Sequence, residues 1–439
     1  MLNSEEYWIS RAENRLLNAE KSSSELLKDL KRLYQDTINK LNKEIEAFIG
    51  RYSEKQGLTI QDTRKLLTND ELKRFRQEAM EYYSDLSKHA YDPAYRNKLK
   101  SQIYSTLTKD GKVLYSLRRN ISRLDYLKMQ LQFLIENMYM KENEAFTAKL
   151  SKTYEEAYMR STFDSQKAVG VYSSFNSLNS SIVNKVVQEN WLGENYSSRI
   201  WKDKNSLIDT LETTFAQDVA MGKNPREIAR DISKKMGAKY SNCERLARTE
   251  FNHIANQATK DSYSSTQGIE EYKYVATLDS RTSEICQNLD GKVFPLSEAE
   301  EGINYPPMHP NCRSVTIPYS EDEDYSKLER IATDPKSGKS YFIPADMNFA
   351  DWKASLSEEQ GKYFVSQQKS KAQYKLDLKQ LNEYRKLATQ AKKQGYGELF
   401  DGIDFNIKSF QRIKYLEPEK WDIFKENARI ARSELKWLG

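Results

Sequence analysis

The sequence predicts a mainly α-helical protein with a small α+β insert domain: long N-terminal helices, a compact turn-rich central domain and a helical C-terminal tail. Three observations carry that expectation. Apolar residues recur at helical spacing through residues 5–50 and 113–150. Proline, which breaks helix interiors, is confined to Pro93 before Pro225, then clusters as Pro295, Pro306, Pro307, Pro310, Pro318, Pro335 and Pro344. The stretch Thr277–Ser314 gathers Cys286, Cys312, His309 and an Asp-Gly turn into a short span. Compact, turn-rich segments in helical proteins are where recognition or chemistry concentrates.

The first element is a helix over 5–50. Leu27, Leu30, Tyr34, Leu41, Ile45 and Phe48 form one apolar stripe, with Lys28, Asp29, Lys31, Glu44 and Glu46 between them. Gly50 and Gly57 are expected stops. Thr68-Asn69-Asp70-Glu71 fits a capping box opening the next helix. Leu114, Leu117, Ile121, Leu124, Leu131, Leu134 and Met138 follow a spacing near 3.5, which suits a bundle helix or a short coiled-coil seam. Residues 171–190 are rich in Ser and Asn and read as a hinge. Helix returns over 196–258, punctuated at Gly222–Pro225 and Gly237, with Asn224 as N-cap and Pro225 at the first helical position. Residues 271–278 alternate and read as a strand, and Leu289-Asp290-Gly291-Lys292-Val293 as a hairpin turn. A further turn falls at Asp334–Gly338, and helix resumes from about Phe349.

Composition bounds the function. The 439 residues suffice for two or three domains. Apolar residues make up 38% and charged residues 30%, a balance that favours elongated helices with much solvated surface. The net charge of +5 permits contact with nucleic acid without demanding it. Three cysteines do not make a disulfide framework, so synthesis in a reducing cytoplasm is expected. The opening residues lack the apolar run of a secretory signal, and no window approaches the ~18 apolar residues of a membrane span. No phosphate-binding loop, dinucleotide fingerprint, Ser-His-Asp set or HExxH helix is present.

Cys286, His309 and Cys312 are the sharpest constellation, because His309-x-x-Cys312 has metal-ligand spacing. Zinc wants four ligands. Ser283 stands where a Cys-x-x-Cys pair would place the next one, so Asp279 or Asp290 would have to complete the set. The alternative is two buried structural thiols beside a hydrogen-bonded histidine. Asp279, Arg281 and Thr282 follow the strand and read as a turn lock, since an Asp at a turn bonds the backbone two residues on. Arg248 and Glu250 lie in a helix and suggest a buried Arg–carboxylate pair linking it to the proline-rich insert. His253 reads as a surface or packing residue.

Taken in order, Arg248-Thr249-Glu250, Asp279-Ser280-Arg281-Thr282, Cys286, Leu289-Asp290-Gly291 and Pro306-Pro307-x-His309-Pro310-Asn311-Cys312-Arg313 resemble the head-morphogenesis domain of tailed-phage minor head proteins, the phage Mu F-like family. Tyr196-Ser-Ser-Arg199-Ile200-Trp201 fits the approach to that domain, and Thr333-Asp334-Pro335, Ala345-Asp346-Met347, Trp352 and the early Tyr7-Trp8 are similar too. Members often carry Cys where this chain has Ser283 and Ser314. The resemblance is strong over roughly 195–352. It implies a long-helix region over 1–170, a hinge over 171–194, a head-morphogenesis domain over 195–320, a linker and turn segment over 321–354 and a helical tail over 355–439.

The same resemblance implies a minor capsid protein and not an enzyme. Its motif residues would be Arg248, Glu250, Asp279, Arg281, Thr282, Asp290, Gly291, Pro307, His309 and Arg313, serving as structural locks. It would sit in the virion near the portal vertex and act in procapsid assembly, DNA packaging or genome ejection. Its partners would be the portal protein, scaffold, major capsid protein and packaged double-stranded DNA, with no membrane. The resemblance implies no cofactor, and zinc at Cys286, His309 and Cys312 rests on their ligand spacing alone. Two enzymatic alternatives stand beside it: a metal-dependent nucleic-acid-processing enzyme built on those three residues, and an ADP-ribosyl-transferring effector.

Overall fold

The computed structural model describes residues 5–52, 65–74, 77–78, 81, 108–109, 112–113, 122–170, 172, 178–191, 193–221, 223, 225–319, 329–401 and 403–437. The chain divides into two compact units. One comprises Met1–Ala276, Glu284–Arg330 and Pro344–Asp346, and the other Thr277–Ser283, Ile331–Ile343 and Met347–Gly439.

The first unit is built on long helices: α1 (Glu5–Tyr52), α2 (Arg123–Val169), α4 (Tyr196–Ala220) and α5 (Pro225–Ser265), with the short α3 (Ser180–Val187) between α2 and α4. Every member of the α1 stripe is buried in the bundle core. Leu131 and Met138 of α2, Leu207 and Phe215 of α4, and Ile232 and Phe251 of α5 face them. The near-3.5 spacing in α2 therefore serves an intramolecular bundle. Leu114, Leu117 and Ile121 lie outside the described residues. Gly50 does not stop α1, which runs on to Tyr52 because Phe48, Ile49 and Tyr52 are packed around it. Gly57 and Asn224 lie outside the described residues. Gly237 lies within α5 and does not interrupt it. The Thr68 capping box is present: Glu71 Oε2 accepts from Thr68 N at 2.7 Å and Thr68 Oγ1 accepts from Glu71 N at 3.4 Å.

The segment read as a hinge contains a helix. Asn179 caps α3 by accepting from Ser181 N at 2.9 Å, and Val183 and Val187 are buried in the bundle core. Two valines one helical turn apart are enough to dock so short a helix, which overrides its polar composition.

Polar groups are buried within the bundle as well. Asp164 of α2 accepts from Arg11 Nε at 2.8 Å and Arg15 Nη1 at 2.6 Å, tying α2 to the start of α1. Glu142 is buried and accepts from Tyr34 Oη at 2.8 Å. Burial pushes the Glu142 carboxyl up from 4.5 to about 7, against the opposing hydrogen bonds of Tyr34 and Cys243. The folded state then binds this proton more tightly than the unfolded chain does. Stability contributed by protonated Glu142 is complete below about pH 4.5 and is lost as pH rises toward about 7. Glu142→Gln keeps an acceptor for Tyr34. It is expected to raise stability at pH 8 by about 1–3 kcal/mol and to leave it unchanged at pH 4. Urea denaturation at the two pH values checks this.

The first unit also carries a three-stranded antiparallel sheet. β1 (Glu271–Val275) lies between β2 (Val293–Pro295) and β3 (Val315–Tyr319), with Tyr272 opposite Phe294 and Tyr274 opposite Thr316. A short helix, α6 (Glu284–Leu289), precedes β2. Ile9, Ala12 and Leu16 of α1 pack against Val275, Val315 and Ile317 of the sheet. The opening turns of α1 thus cover a sheet face that is remote in sequence.

The strands β4 (Glu329–Thr333) and β5 (Ser340–Pro344) pair, turning at Asp334–Gly338 as expected, and the second unit takes Ile331–Ile343 of this hairpin. Asp334 Oδ1 accepts from Lys336 N at 2.7 Å, and Gly338 has φ 70°, a conformation glycine adopts without strain. Helices α7 (Phe349–Ser355), α8 (Glu358–Lys393), α9 (Ile407–Leu416) and α10 (Pro418–Trp437) follow. The expected helical tail is a folded bundle: Leu381, Tyr384 and Ala391 of α8 pack with Phe410 of α9 and with Phe424 and Ala428 of α10. Buried Asp377 accepts from Lys414 at 2.9 Å and Tyr415 at 2.8 Å, a clamp between α8 and α9.

Candidate functional site

In the first unit the site is assembled on the sheet. β1 ends at Val275, and the Ala276 N–H donates to Asp290 Oδ1 at 2.7 Å. Asp290 is fully buried and also accepts from Arg330, Nη1 to Oδ2 at 2.9 Å and Nη2 to Oδ1 at 3.1 Å. Arg330 Nη2 donates in addition to Ala276 O. This is a buried, two-pronged, charge-assisted pair. Asp290 is therefore not a metal ligand; its oxygens are engaged by Arg330 and the backbone. Gly291 follows with φ 78°, and its N–H donates to Tyr274 O at 2.9 Å. The Asp-Gly turn joins α6 to β2 and so is not a strand-to-strand hairpin.

α6 presents Cys286 inward, and the loop before β3 presents His309 and Cys312. The Cys286 and Cys312 sulfurs are 3.8 Å apart, and His309 Nε2 lies 3.4 Å from Cys286 Sγ. The three donor atoms all fall within 4.8 Å of one another. Both sulfurs are buried and His309 is half-buried. The hydrogen bond with Cys286 and burial push the Cys312 thiol up, and burial pushes the neighbouring Tyr274 hydroxyl up as well. Pro307 is buried beside this loop, in a cis peptide bond with Pro306, and Arg313 is half-buried.

The expected Arg–carboxylate clamp between α5 and this loop is not formed by Arg248 and Glu250. Arg248 is exposed. Glu250 is buried and accepts instead from Arg199 of α4 at Oε1 and from Trp191 Nε1 at 2.9 Å. A helix of this length turns Arg248 and Glu250 to different faces, so only one of them reaches the interior. Burial pushes the Glu250 carboxyl up, while His253, Trp191 and Arg199 oppose the shift. The α5-to-loop contacts run through Tyr305 Oη, which donates to Asn256 O at 2.9 Å, and through Asn311 N, which donates to Thr249 Oγ1 at 3.3 Å. His253 Nδ1 also lies 2.9 Å from Glu301 Oε1, and its ring stacks on Trp191 with centroids 4.1 Å apart. Next to Glu250 is a cleft of about 530 Å³. Its charged lining mixes Glu142, Asp203 and Glu250 with Arg199, Lys202 and Arg245, so it favours neither sign.

Asp279, Arg281 and Thr282 belong to the second unit. Asp279 Oδ1 accepts from the Arg281 N–H at 2.8 Å and the Thr282 N–H at 3.0 Å, an Asx turn, and Arg281 Nε reaches Asp279 Oδ2 at 3.2 Å. Thr282 Oγ1 donates to Thr277 O. The Arg281 side chain is otherwise solvated. The Asp279 carboxylate is engaged inside this turn and is no part of the Cys–His group, which has three members among the described residues.

Sequence reasoning missed Arg330 and Trp191. Arg330 did leave a trace: in Glu-Arg-Ile-Ala-Thr the buried positions of β4 are Arg330 and Ala332, so a basic residue holds an inward site, which requires a carboxylate. Trp191, in the segment read as hinge, left no such signal.

The matches to known proteins fall on this geometry, over the stretch from α4 to β3. Residues 209–317 match the family model described as Phage Mu protein F like protein. The chain is also similar to NAD(+)--arginine ADP-ribosyltransferase EFV of Enterococcus faecalis (strain ATCC 700802 / V583), 24% identical over 216 residues. That similarity covers 46% of this chain and 44% of that protein, so the chain spans less than half the length of the curated relative. No solved structure matches. Among the described residues no helix is long and apolar enough to cross a membrane.

Proposed function

We propose that this chain is a minor head protein of a tailed phage, docking at the portal vertex inside the head and assisting procapsid assembly, DNA packaging or genome ejection. One observation carries the reading: the family match lies over a domain whose motif carboxylates, Glu250 and Asp290, are engaged in internal clamps. Carboxylates held that way rigidify a docking module and leave little for proton transfer. Because the apolar stripe of α1 is buried in its own bundle, partner contacts fall to the charged outer faces of the long helices. The weak net positive charge lets those faces meet packaged DNA through its phosphates, in a contact that weakens steeply with salt.

The test is co-expression of the tagged chain with the portal, scaffold and major capsid proteins of the same phage. Procapsids sedimented through sucrose should retain the chain, and the portal protein should be captured with the tag. Absence from procapsids together with failure to capture portal overturns the proposal. A transferase reading is favoured by the 24% identical relative alone. Transfer of label from NAD to arginine by the purified chain would replace the structural reading. Metal-dependent cleavage of plasmid DNA would do the same in favour of a nuclease.

A further inference from the structure

The Cys286–His309–Cys312 group has the spacing of a preformed metal site. Zinc bonds to sulfur at about 2.3 Å and to nitrogen at about 2.0–2.1 Å. Tetrahedral angles then set two ligand sulfurs about 3.8 Å apart and a sulfur and a nitrogen about 3.6 Å apart. The corresponding separations here are 3.8 Å for the two sulfurs and 3.4 Å for Cys286 Sγ to His309 Nε2. Ordinary packing also brings two sulfurs to such a distance. It does not require an imidazole nitrogen to converge on them with its lone pair forward.

The surroundings supply that orientation. His309 Nδ1 lies 2.9 Å from Pro310 O. A carbonyl only accepts, so the ring proton sits on Nδ1 and the lone pair on Nε2, directed at the sulfurs. Metal-binding histidines are oriented by this same outer contact. Tyr274 Oη donates to Cys286 Sγ at 3.4 Å, a contact that suits a thiolate there. Two thiolates neutralise a divalent ion, which lowers the cost of burying it.

We propose that Cys286 Sγ, Cys312 Sγ and His309 Nε2 bind one zinc ion, with a water molecule in the fourth position. Two thiolates and one imidazole in tetrahedral array select zinc over the harder divalent ions. The half-buried flank of His309 gives the ion and its water a way in. Binding to the neutral side chains releases two protons, one from each thiol, and the imidazole enters already neutral. No electron changes hands. The ion staples α6 to the loop before β3 and so couples metal binding to the folding of the head-morphogenesis domain. This stapling is independent of any portal contact.

The experiment uses the full chain, expressed in zinc-supplemented medium and purified under reducing conditions without chelator. Elemental analysis should find about one zinc per chain. Cobalt(II) added to the chelator-stripped chain should give intense tetrahedral visible bands with a sulfur-to-metal charge-transfer band, and zinc should abolish them. His309→Ala and Cys312→Ser should each lose the zinc and the charge-transfer band. Should those variants misfold, the cobalt titration of the unaltered chain still decides. A folded, reduced chain that carries no zinc and gives no tetrahedral cobalt spectrum overturns the proposal. So does a Cys286–Cys312 disulfide in protein alkylated at lysis. A stripped chain that still enters procapsids separates this inference from the portal reading, since the two then stand or fall apart.

Discussion

Replacing Arg330 with Met is expected to destabilise the first unit by about 3–5 kcal/mol. The guanidinium is almost wholly buried and holds both oxygens of Asp290, whose carboxylate has no solvent exposure. Without Arg330 the carboxylate stays in a dry interior with the Ala276 N–H as its remaining donor among these contacts. Part of the loss is the pair itself, and the larger part is the uncompensated charge left behind. The double variant Asp290→Leu with Arg330→Met removes both charges and should recover more than half of the loss. Urea denaturation followed by the fluorescence of Trp191 and Trp201, which lie in this unit, reads the effect. A single variant within about 0.5 kcal/mol of the parent would show that the pair carries no stability.

Glu250→Ala is expected to cost about 2–4 kcal/mol. It strands the Arg199 guanidinium and the Trp191 indole N–H together, since both donate to the one carboxylate. Arg199 is partly solvated, which places the effect below that of Arg330. Glu250→Gln keeps an acceptor for one donor and should cost less than half as much. Arg248→Ala, one turn of reasoning away in the same motif but exposed, should change stability by less than about 0.5 kcal/mol. Thermal unfolding of the four proteins side by side distinguishes an internal clamp from a surface motif. An Arg248 effect equal to that of Glu250 would refute the assignment of partners.

The parts of the fold that were legible depend on neighbours in sequence. The α1 stripe, the Thr68–Glu71 capping box, the start of α7 at Phe349 and the Asp334–Gly338 turn all rest on periodicity or on side chains bonding the backbone within a few residues. Composition misled where packing overrode it. Val183 and Val187 draw a Ser- and Asn-rich segment into the bundle, and the charged C-terminal helices fold around Tyr384 and Phe424. In the site, Cys286, His309 and Cys312 stood out because thiols and imidazoles are scarce in this chain. That Asp290 turns instead to Arg330 did not stand out, because a carboxylate looks the same in sequence whether it faces a metal or an arginine.

By itself, then, the chain's order of residues determined where helices run, where the backbone must turn and which segment resembles the Mu F-like family. Those outcomes follow from short-range sterics and hydrogen bonding. The tertiary structure alone decided that Asp290 belongs to Arg330, that Glu250 belongs to Arg199 and Trp191, and that the first turns of α1 roof the sheet through Ile9, Ala12 and Leu16. Partner choice among many similar charges and apolar side chains is a property of packing. It is made only when segments far apart in sequence exclude water from the same place.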